Sequence, residues 1–476
     1  MTRSNPGTGL AGPHPEGGSF RDRTARVFLE GERVLRALGP RALAAWEAYS
    51  RAAFFQKLSA EGAVVGTRRL TGPGCPAIGE GWVAILEHDR VPFVSYPYEW
   101  SFSMLKEAAL LQLDVLLGAL AEGFTLKDAT PYNIQWRGTR PQFIDVASIE
   151  PYREGEPWVG YRQFCQLFLF PLLLQSARGL PGPMLLRARL DGIDPQTCRS
   201  MLRARDLLRR GVLTHVWLHA MAQGRFADAE VSSVDLMARA GFKRSMVERT
   251  VRGMRRVVAR LQARRRRSTW TEYRHEHSYQ ATDLQAKREF VEHFVAARRP
   301  GMVWDIGANT GDFSRIAARH APLVVALEQE ETTVDRLFSE LKVEGGDRIL
   351  PLVVDVTDPS PGMGWRCAER RTLWDRGRPD LALCLALIHH VVIAGNVPLP
   401  EFVGWLAELG CDLVIEFVGK DDPMVRRLLL NKRDDYADYD QTVFEACLGR
   451  AFAVESRMPL ESGTRTLYAC RALGRQ

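Results

Sequence analysis

The chain has 476 residues, 46% apolar and 25% charged, an ordinary composition for a globular protein and enough for two or three domains of about 150 residues. Its net charge of +7 hides an asymmetry: from Glu272 onward Lys and Arg number 25 against 32 acids, whereas the preceding part holds 39 against 25. The eight cysteines show no Cys-x-x-Cys or Cys/His ligand spacing, which argues against a zinc site or a disulfide framework, and the most apolar stretch, 164–174, is about half the ~20 residues a bilayer span needs. The N-terminus is polar, without an apolar signal region, so a reducing, cytoplasmic setting is expected.

In chain order, residues 1–18 are rich in Gly, Pro and Ser and are expected to be disordered. Residues 19–262 read as one α+β, mostly helical domain. It opens with a short strand or two and a helix over 40–58. Short strands at 82–86 and 92–96 precede a helix over 101–122, where Leu105, Ala108, Leu113, Leu116 and Leu120 recur at helical spacing. Then come Leu126-Lys127-Asp128-Ala129-Thr130-Pro131-Tyr132-Asn133 and a strand over 142–145. From 159 to about 254 the pattern is helical, with 164–174 a buried helix. The run Arg264-Arg265-Arg266-Arg267 lies in a basic linker and entry segment, 263–285. A basic N-terminal half invites a nucleic-acid or other polyanionic partner, but Arg-rich solvated helix faces explain it more simply.

From 286 to 476 the pattern alternates. Strands are expected at 302–306, 323–328, 349–354, 380–386, 412–418, 451–456 and 465–471, and helices at 312–320, 331–343, 399–409 and 440–449. Alternating β and α predicts a parallel, doubly wound, Rossmann-like α/β sheet. The last two strands have no helix between them and should form an antiparallel hairpin at its edge.

The chemistry concentrates at Val303-Trp304-Asp305-Ile306-Gly307-Ala308-Asn309-Thr310-Gly311-Asp312-Phe313-Ser314. An apolar strand ends in Asp305, and a tight turn through Gly307, Asn309 and Gly311 hands over to a helix, as where a backbone must approach a nucleotide-like ligand. A carboxylate at this point would repel a pyrophosphate but pair with an ammonium, so a cofactor with a free amino-acid end fits better than a dinucleotide. Glu328 ends the second strand and can accept both hydroxyls of a ribose. Asp355 ends the third and can accept from an adenine amino group, with the Val356 N–H beside it. His389 and His390 follow the fourth strand, as candidates either for a base or for a packing, loop-orienting role; the second is favoured. Glu416, Lys420 and Asp421 at the end of the fifth strand are substrate-side candidates. Tyr273, Tyr279 and Lys287 are positioned to close the cofactor pocket.

The Gly turn, Glu328, Asp355 and the final hairpin together resemble the class I S-adenosylmethionine-dependent methyltransferase family over about 290–476. That resemblance implies a seven-stranded sheet whose last inserted strand is antiparallel, S-adenosyl-L-methionine as cofactor, and methyl transfer without a required metal. Asp128, Asn133 five residues on, and Asp145 twelve later resemble the catalytic and metal-binding loops of protein kinases and aminoglycoside-type phosphotransferases. This implies a kinase-like lobe holding a magnesium–nucleotide complex. Leu126-Lys127 and Val146-Ala147 depart from that pattern, and no Gly-rich phosphate loop precedes Trp82, so phosphoryl transfer does not follow.

Ser19-Phe20-Arg21-Asp22, Ser95-Tyr96-Pro97-Tyr98-Glu99-Trp100-Ser101-Phe102-Ser103, Lys127-Asp128-Ala129, Tyr161-Arg162-Gln163-Phe164-Cys165 and Leu385-Ala386-Leu387-Ile388-His389-His390 extend a resemblance over nearly the whole chain. They look like a two-domain bacterial methyltransferase family similar to the rhizobial host-specific nodulation proteins of methyltransferase type. The expected acceptor is a small molecule or saccharide, bound with help from the N-terminal domain. The alternatives are a bifunctional phosphotransferase-like protein and a polyanion- or RNA-binding methyltransferase. Neither the acceptor nor the oligomeric state is legible.

Overall fold

Two sheets and one long helix between them set the architecture of the computed structural model, which describes residues 12–209, 211–218, 243–264, 281–430, 432 and 435–474. The first sheet is antiparallel: β1 (His14–Pro15), β2 (Ala25–Glu30), β3 (Arg33–Leu38), β4 (Thr67–Leu70) and β5 (Ala84–His88), in the order β1-β2-β3-β5-β4. Alternation along β3 packs Leu35 and Ala37 against Phe28 and Ile85, while Arg36 and Leu38 turn to the other face.

Three expectations in this half needed tertiary information. The helix over 40–58 is two helices, Pro40–Tyr49 and Ala53–Ala60. The break is stabilised from outside: the Glu122 carboxylate accepts from the Ala53 and Phe54 N–H groups at 2.8 and 2.6 Å, acting as a cap supplied by a distant residue. The strand expected at 92–96 is absent. The Gln135 side chain takes both backbone groups of Ser95, at 2.9 and 3.0 Å, where a ladder would have been, and the chain enters a 3₁₀ turn, Pro97–Glu99. The buried helix at 164–174 contains a π-turn, Cys165–Leu169, with the Phe170 N–H donating to the Cys165 carbonyl; Pro171 follows and has no N–H for the regular ladder.

The helix Phe102–Ala121 leads to β6 (Phe124–Leu126), which pairs with β9 (Ile149–Pro151). Between these lies the hairpin β7 (Ile134–Arg137) and β8 (Arg140–Phe143). The expected strand 142–145 is thus the end of this hairpin.

The second sheet has seven strands: β10 (Met302–Ile306), β11 (Leu323–Glu328), β12 (Ile349–Val353), β13 (Leu381–Cys384), β14 (Asp412–Val418), β15 (Phe452–Pro459) and β16 (Arg465–Ala472). Their order is β12-β11-β10-β13-β14-β16-β15, with β16 antiparallel to both neighbours. All seven expected strands are present, and the final hairpin lies at the edge as the sequence pattern required.

Alternate residues of these strands feed two cores. Val303, Val324, Ala326, Leu383 and Val414 pack with Val291 and Val295 of the helix Ala281–Arg298. Trp304, Val325, Leu327, Ala382 and Ile415 face the other way and join the same core as the helix Phe102–Ala121. Phe93 meets Trp304 edge-on at 6.3 Å and Trp136 meets Phe338 at 5.4 Å. The turn of the β7–β8 hairpin is equally close. Gly138 has φ +57, and a Cβ there would lie 2.6 Å from the Asp347 backbone.

Candidate cofactor and acceptor site

Strand order reverses between β10 and β13, which makes their carboxyl ends the topological switch point where ligands of open α/β sheets bind. There the chain turns through Gly307 (φ +77), Asn309 (φ +48) and Gly311 (φ +77) into the helix Asp312–Ala318. The Gly307 and Ala308 N–H groups donate to the Leu327 carbonyl at 2.8 and 3.0 Å. A Cβ at Gly311 would lie 2.6 Å from Leu337 Cδ1, so that side chain would have to shift to admit one.

Asp305 is buried, and Ser314 Oγ donates to its Oδ2 at 2.5 Å. Burial pushes its carboxyl up to about 6; the Ser314 hydrogen bond and the Lys287 ammonium oppose this, and Glu328 adds to it. A buried carboxylate raised in this way is relieved by an incoming ammonium, so the site's charge suits an amino-acid moiety. Glu328 accepts from the Asn309 N–H at 3.1 Å and the Glu330 N–H at 2.9 Å, which sets it beside the Gly turn; burial raises its pKa as well. Asp355 follows β12 and holds the Thr357 N–H at 2.8 Å and hydroxyl at 2.6 Å, with Val356 part-buried next to it. The structure therefore brings Asp305, Gly307, Asn309, Gly311, Glu328, Asp355 and Val356 to one sheet edge.

His389 and His390 lie at the same edge with ring centroids 4.1 Å apart. Burial drives the His389 pKa well below its usual value, with His390, Arg465 and Lys287 adding to it; His390 is lowered to about 4 by burial and by Arg465. Both rings are neutral near pH 7, and the cations beside His389 oppose an imidazolium there. Its buried Nδ1 has no hydrogen-bond partner among the described residues.

Glu416 lies inside the sheet rather than at its open edge. It is fully buried on β14, 2.5 Å from Lys287 and 3.4 Å from Arg465, and Arg465 in turn pairs with Asp422 at 2.7 Å. Lys287 also lies over the Phe313 ring at 4.9 Å. Of the other substrate-side candidates, Lys420 is part-buried, and Asp421 is exposed and pairs with Arg426. Tyr273 and Tyr279 lie outside the described residues, as do Arg265, Arg266 and Arg267. Ser314, Arg465 and Asp422 escaped the sequence reading. Ser314 lay within the quoted motif, and Arg465 opens a strand that is buried from Arg465 through Cys470, a position where a charge calls for a buried partner.

In the N-terminal half Asp128, Asn133 and Asp145 also converge. The Asn133 amide donates to Asp128 at 2.7 Å, and burial plus the nearby Asp145 push the Asp128 carboxyl up to about 7. Asp145, however, is already engaged by Arg36 at 2.7 Å, while Arg36 Nε reaches His88 at 3.2 Å. Among the described residues no group of three or more His, Cys, Asp or Glu side chains could hold a metal ion. On the helix Arg244–Arg260, Val247, Val251, Met254 and Val258 are buried, and Arg249, Arg252, Arg256 and Arg260 are exposed on the opposite side.

The strand order, with its antiparallel penultimate strand and acids after three consecutive strands, defines a class I methyltransferase fold. No family model matches the chain. It is 35% identical over 469 residues to nodulation protein NoeA of Rhizobium meliloti (strain 1021), covering 96% of both proteins, and it belongs to that protein's family. Among solved structures it is similar to the N-methyltransferase NodS from Bradyrhizobium japonicum WM9 (12% identity, TM-score 0.30, 40% of this chain and 97% of that one). It is also similar to magnesium protoporphyrin IX methyltransferase from Synechocystis PCC 6803 with bound SAM (18% identity, TM-score 0.30, 43% and 92%). Among the described residues no helix is long and apolar enough to cross a membrane.

Proposed function

We propose that the protein is an S-adenosylmethionine-dependent methyltransferase acting on a small-molecule or saccharide acceptor, with the N-terminal domain contributing to acceptor binding. The observation that carries this is the buried Asp305 carboxyl, raised to about 6 at the switch point, flanked by the Gly turn and by Glu328 and Asp355. Asp305 would hold the cofactor's ammonium, Glu328 its ribose and Asp355 with Val356 its adenine. The cofactor supplies an electrophilic methyl group; the chain supplies proximity and orientation. The neutral His389–His390 pair orients the loop after β13 and leaves His389 Nδ1 to hydrogen-bond a bound molecule.

The test is calorimetric titration of the full chain with S-adenosylhomocysteine. Binding by the wild type and its loss in Asp305→Ala are expected; no binding by either defeats the reading. A second reading, a magnesium–nucleotide complex at Asp128, Asn133 and Asp145, draws support from the paired carboxylates at Asp128 and Asp145. The Arg36–Asp145 ion pair weighs against it. It requires Mg²⁺-dependent ATP binding that disappears in Asp145→Ala.

A further inference from the structure

Glu328 and Asp355 end adjacent strands, and the Val354 N–H donates to the Glu328 carbonyl at 2.9 Å, which ties the two strand ends together. Beyond them the chain continues in loops, the least constrained parts of an α/β sheet. A carboxylate that must meet a hydroxyl or an amino group has to be held to within about 0.5 Å, so each loop needs an anchor.

One piece of the N-terminal half reaches both loops. The buried helix Phe170–Arg178 ends at Gly179, whose φ of +70 turns the chain out of it. The next helix, Gly182–Ala188, packs back so closely that a Cβ at Gly182 would lie 2.3 Å from the Pro171 carbonyl oxygen. Gln175 of the first helix accepts from the Gly182 N–H at 3.1 Å, and its amide nitrogen donates to Glu331 Oε1, which also accepts from the Phe102 N–H at 3.0 Å. Arg187 of the second helix donates to Asp358 Oδ1 at 2.9 Å, to Asp358 Oδ2 and the Asp358 carbonyl at 3.1 Å, and to the Pro359 carbonyl at 3.2 Å.

The two attachments have the same offset. Glu331 lies three residues beyond Glu328, and Asp358 three beyond Asp355. Within each span a backbone hydrogen bond carries the anchor back to the acid: the Glu330 N–H donates to the Glu328 carboxylate at 2.9 Å, and the Asp358 N–H donates to the Asp355 carbonyl at 3.1 Å. The attachments differ in depth. Gln175 is 5% exposed, so its amide meets the Glu331 carboxylate away from water, and a hydrogen bond to a charged group is the stronger kind. Asp358 is exposed, and its ion pair with Arg187 contributes less. Asp305, by contrast, is held by Ser314 of the C-terminal half. We infer that Gln175 and Arg187 are positioning residues for the nucleoside half of the cofactor, acting through Glu328 and Asp355, so that the N-terminal half takes part in cofactor binding. The inference rests on the methyltransferase reading.

The full chain is titrated calorimetrically with S-adenosylhomocysteine and with methylthioadenosine, which keeps adenine, ribose and thioether but lacks the amino-acid end. Gln175→Met should weaken both ligands by the same factor, about tenfold, the equivalent of one hydrogen bond to a charged group. Arg187→Met, at a part-exposed site whose ion pair adds little to folding, should weaken both about threefold. Asp305→Ala should weaken S-adenosylhomocysteine alone. In the Glu328→Ala background Gln175→Met should cost nothing further, and in the Asp355→Ala background the same holds for Arg187→Met, because the carboxylate each one places is gone; residues that only support the fold would give additive losses. Affinities within about twofold of wild type in both single variants, a loss confined to S-adenosylhomocysteine, or additive losses in the double variants overturn the inference and leave the methyltransferase reading standing. If Gln175→Met melts without a cooperative transition, Arg187→Met and its Asp355→Ala cycle decide alone. No binding of S-adenosylhomocysteine by the wild type defeats the methyltransferase reading, and the inference with it.

Discussion

Replacing Glu99 by alanine is expected to destabilise the full chain by about 3–5 kcal/mol, the usual penalty for stripping one partner from a buried ion pair. Arg376 and Glu99 have side-chain exposures of 0% and 1%, so the charge left behind cannot reach water. Glu99 accepts from both Arg376 terminal nitrogens at 2.6 Å, from Ser360 Oγ at 2.6 Å and from the Tyr96 N–H at 3.0 Å. Without it, Arg376 retains the Val94 and Thr372 carbonyls, at 2.9 and 3.2 Å, and the faces of Phe93 and Tyr96. Carbonyls and rings do not neutralise a buried guanidinium. The assay is urea denaturation followed by tryptophan fluorescence, with Glu99→Leu/Arg376→Met as the second arm. If the cost comes from the stranded charge, the double variant is more stable than Glu99→Ala, because an apolar pair removes both charges together. A loss below about 1 kcal/mol in the single variant, or a double variant no better than the single one, refutes the argument.

Three further outcomes follow from the other buried charges. Asp305→Asn should weaken S-adenosylhomocysteine binding at least tenfold in calorimetry. Because the folded-state pKa of Asp305 is raised to about 6, its contribution to stability is full below pH ~4 and lost as pH rises through 6, so the variant should lack that loss in melting curves taken across this window. Asp128, raised to about 7, should produce the same sign of dependence between pH ~4 and 7, which Asp128→Asn removes; an unchanged profile would contradict the burial assigned to it. Lys287→Met should cost about 3–5 kcal/mol in denaturant titrations, since Glu416 has no exposed surface, although Arg465 at 3.4 Å softens the loss.

Most of the second sheet was legible because its inner strands are short apolar runs bounded by turn residues, a pattern set locally by burial on both faces, while the exposed edge strand Phe452–Pro459 was legible from its place before the last strand with no helix between. The edge acids were legible for a related reason: an acid at the end of such a run breaks the apolar pattern where the strand meets solvent or ligand. The N-terminal half was less so. Nothing near Ala53 predicts that Glu122 will cap it, and nothing near Ser95 predicts that Gln135 will replace its ladder. Glu416 shows another limit of local reading. Its place near a strand end suggested a ligand contact, and only the three-dimensional packing reveals Lys287 and Arg465 beside it.

The segment after Asp355 explains why the two halves of the chain work as one. In sequence it follows Asp355, the acid proposed to meet adenine; in space it lies against residues of the N-terminal half. Ser360 and Arg376 meet Glu99, Arg371 meets Glu16 and the Tyr96 hydroxyl, Glu369 meets Arg21, and the Arg370 guanidinium lies 4.1 Å over the Tyr132 ring. On the Glu328 side, Glu331, three residues on, accepts from the Phe102 N–H at 3.0 Å and Asp335 accepts from the Ser103 N–H at 2.7 Å, so the helix Phe102–Ala121 is capped by acids of the C-terminal half. The loops that would hold both ends of the adenosine are therefore anchored to residues of the Ser95–Ser103 motif and its surroundings. The Ser95–Ser103 motif thereby braces the segments on either side of the sheet edge proposed to hold the cofactor, and the shared core of Trp304, Phe93, Trp136 and Phe338 makes that contact apolar.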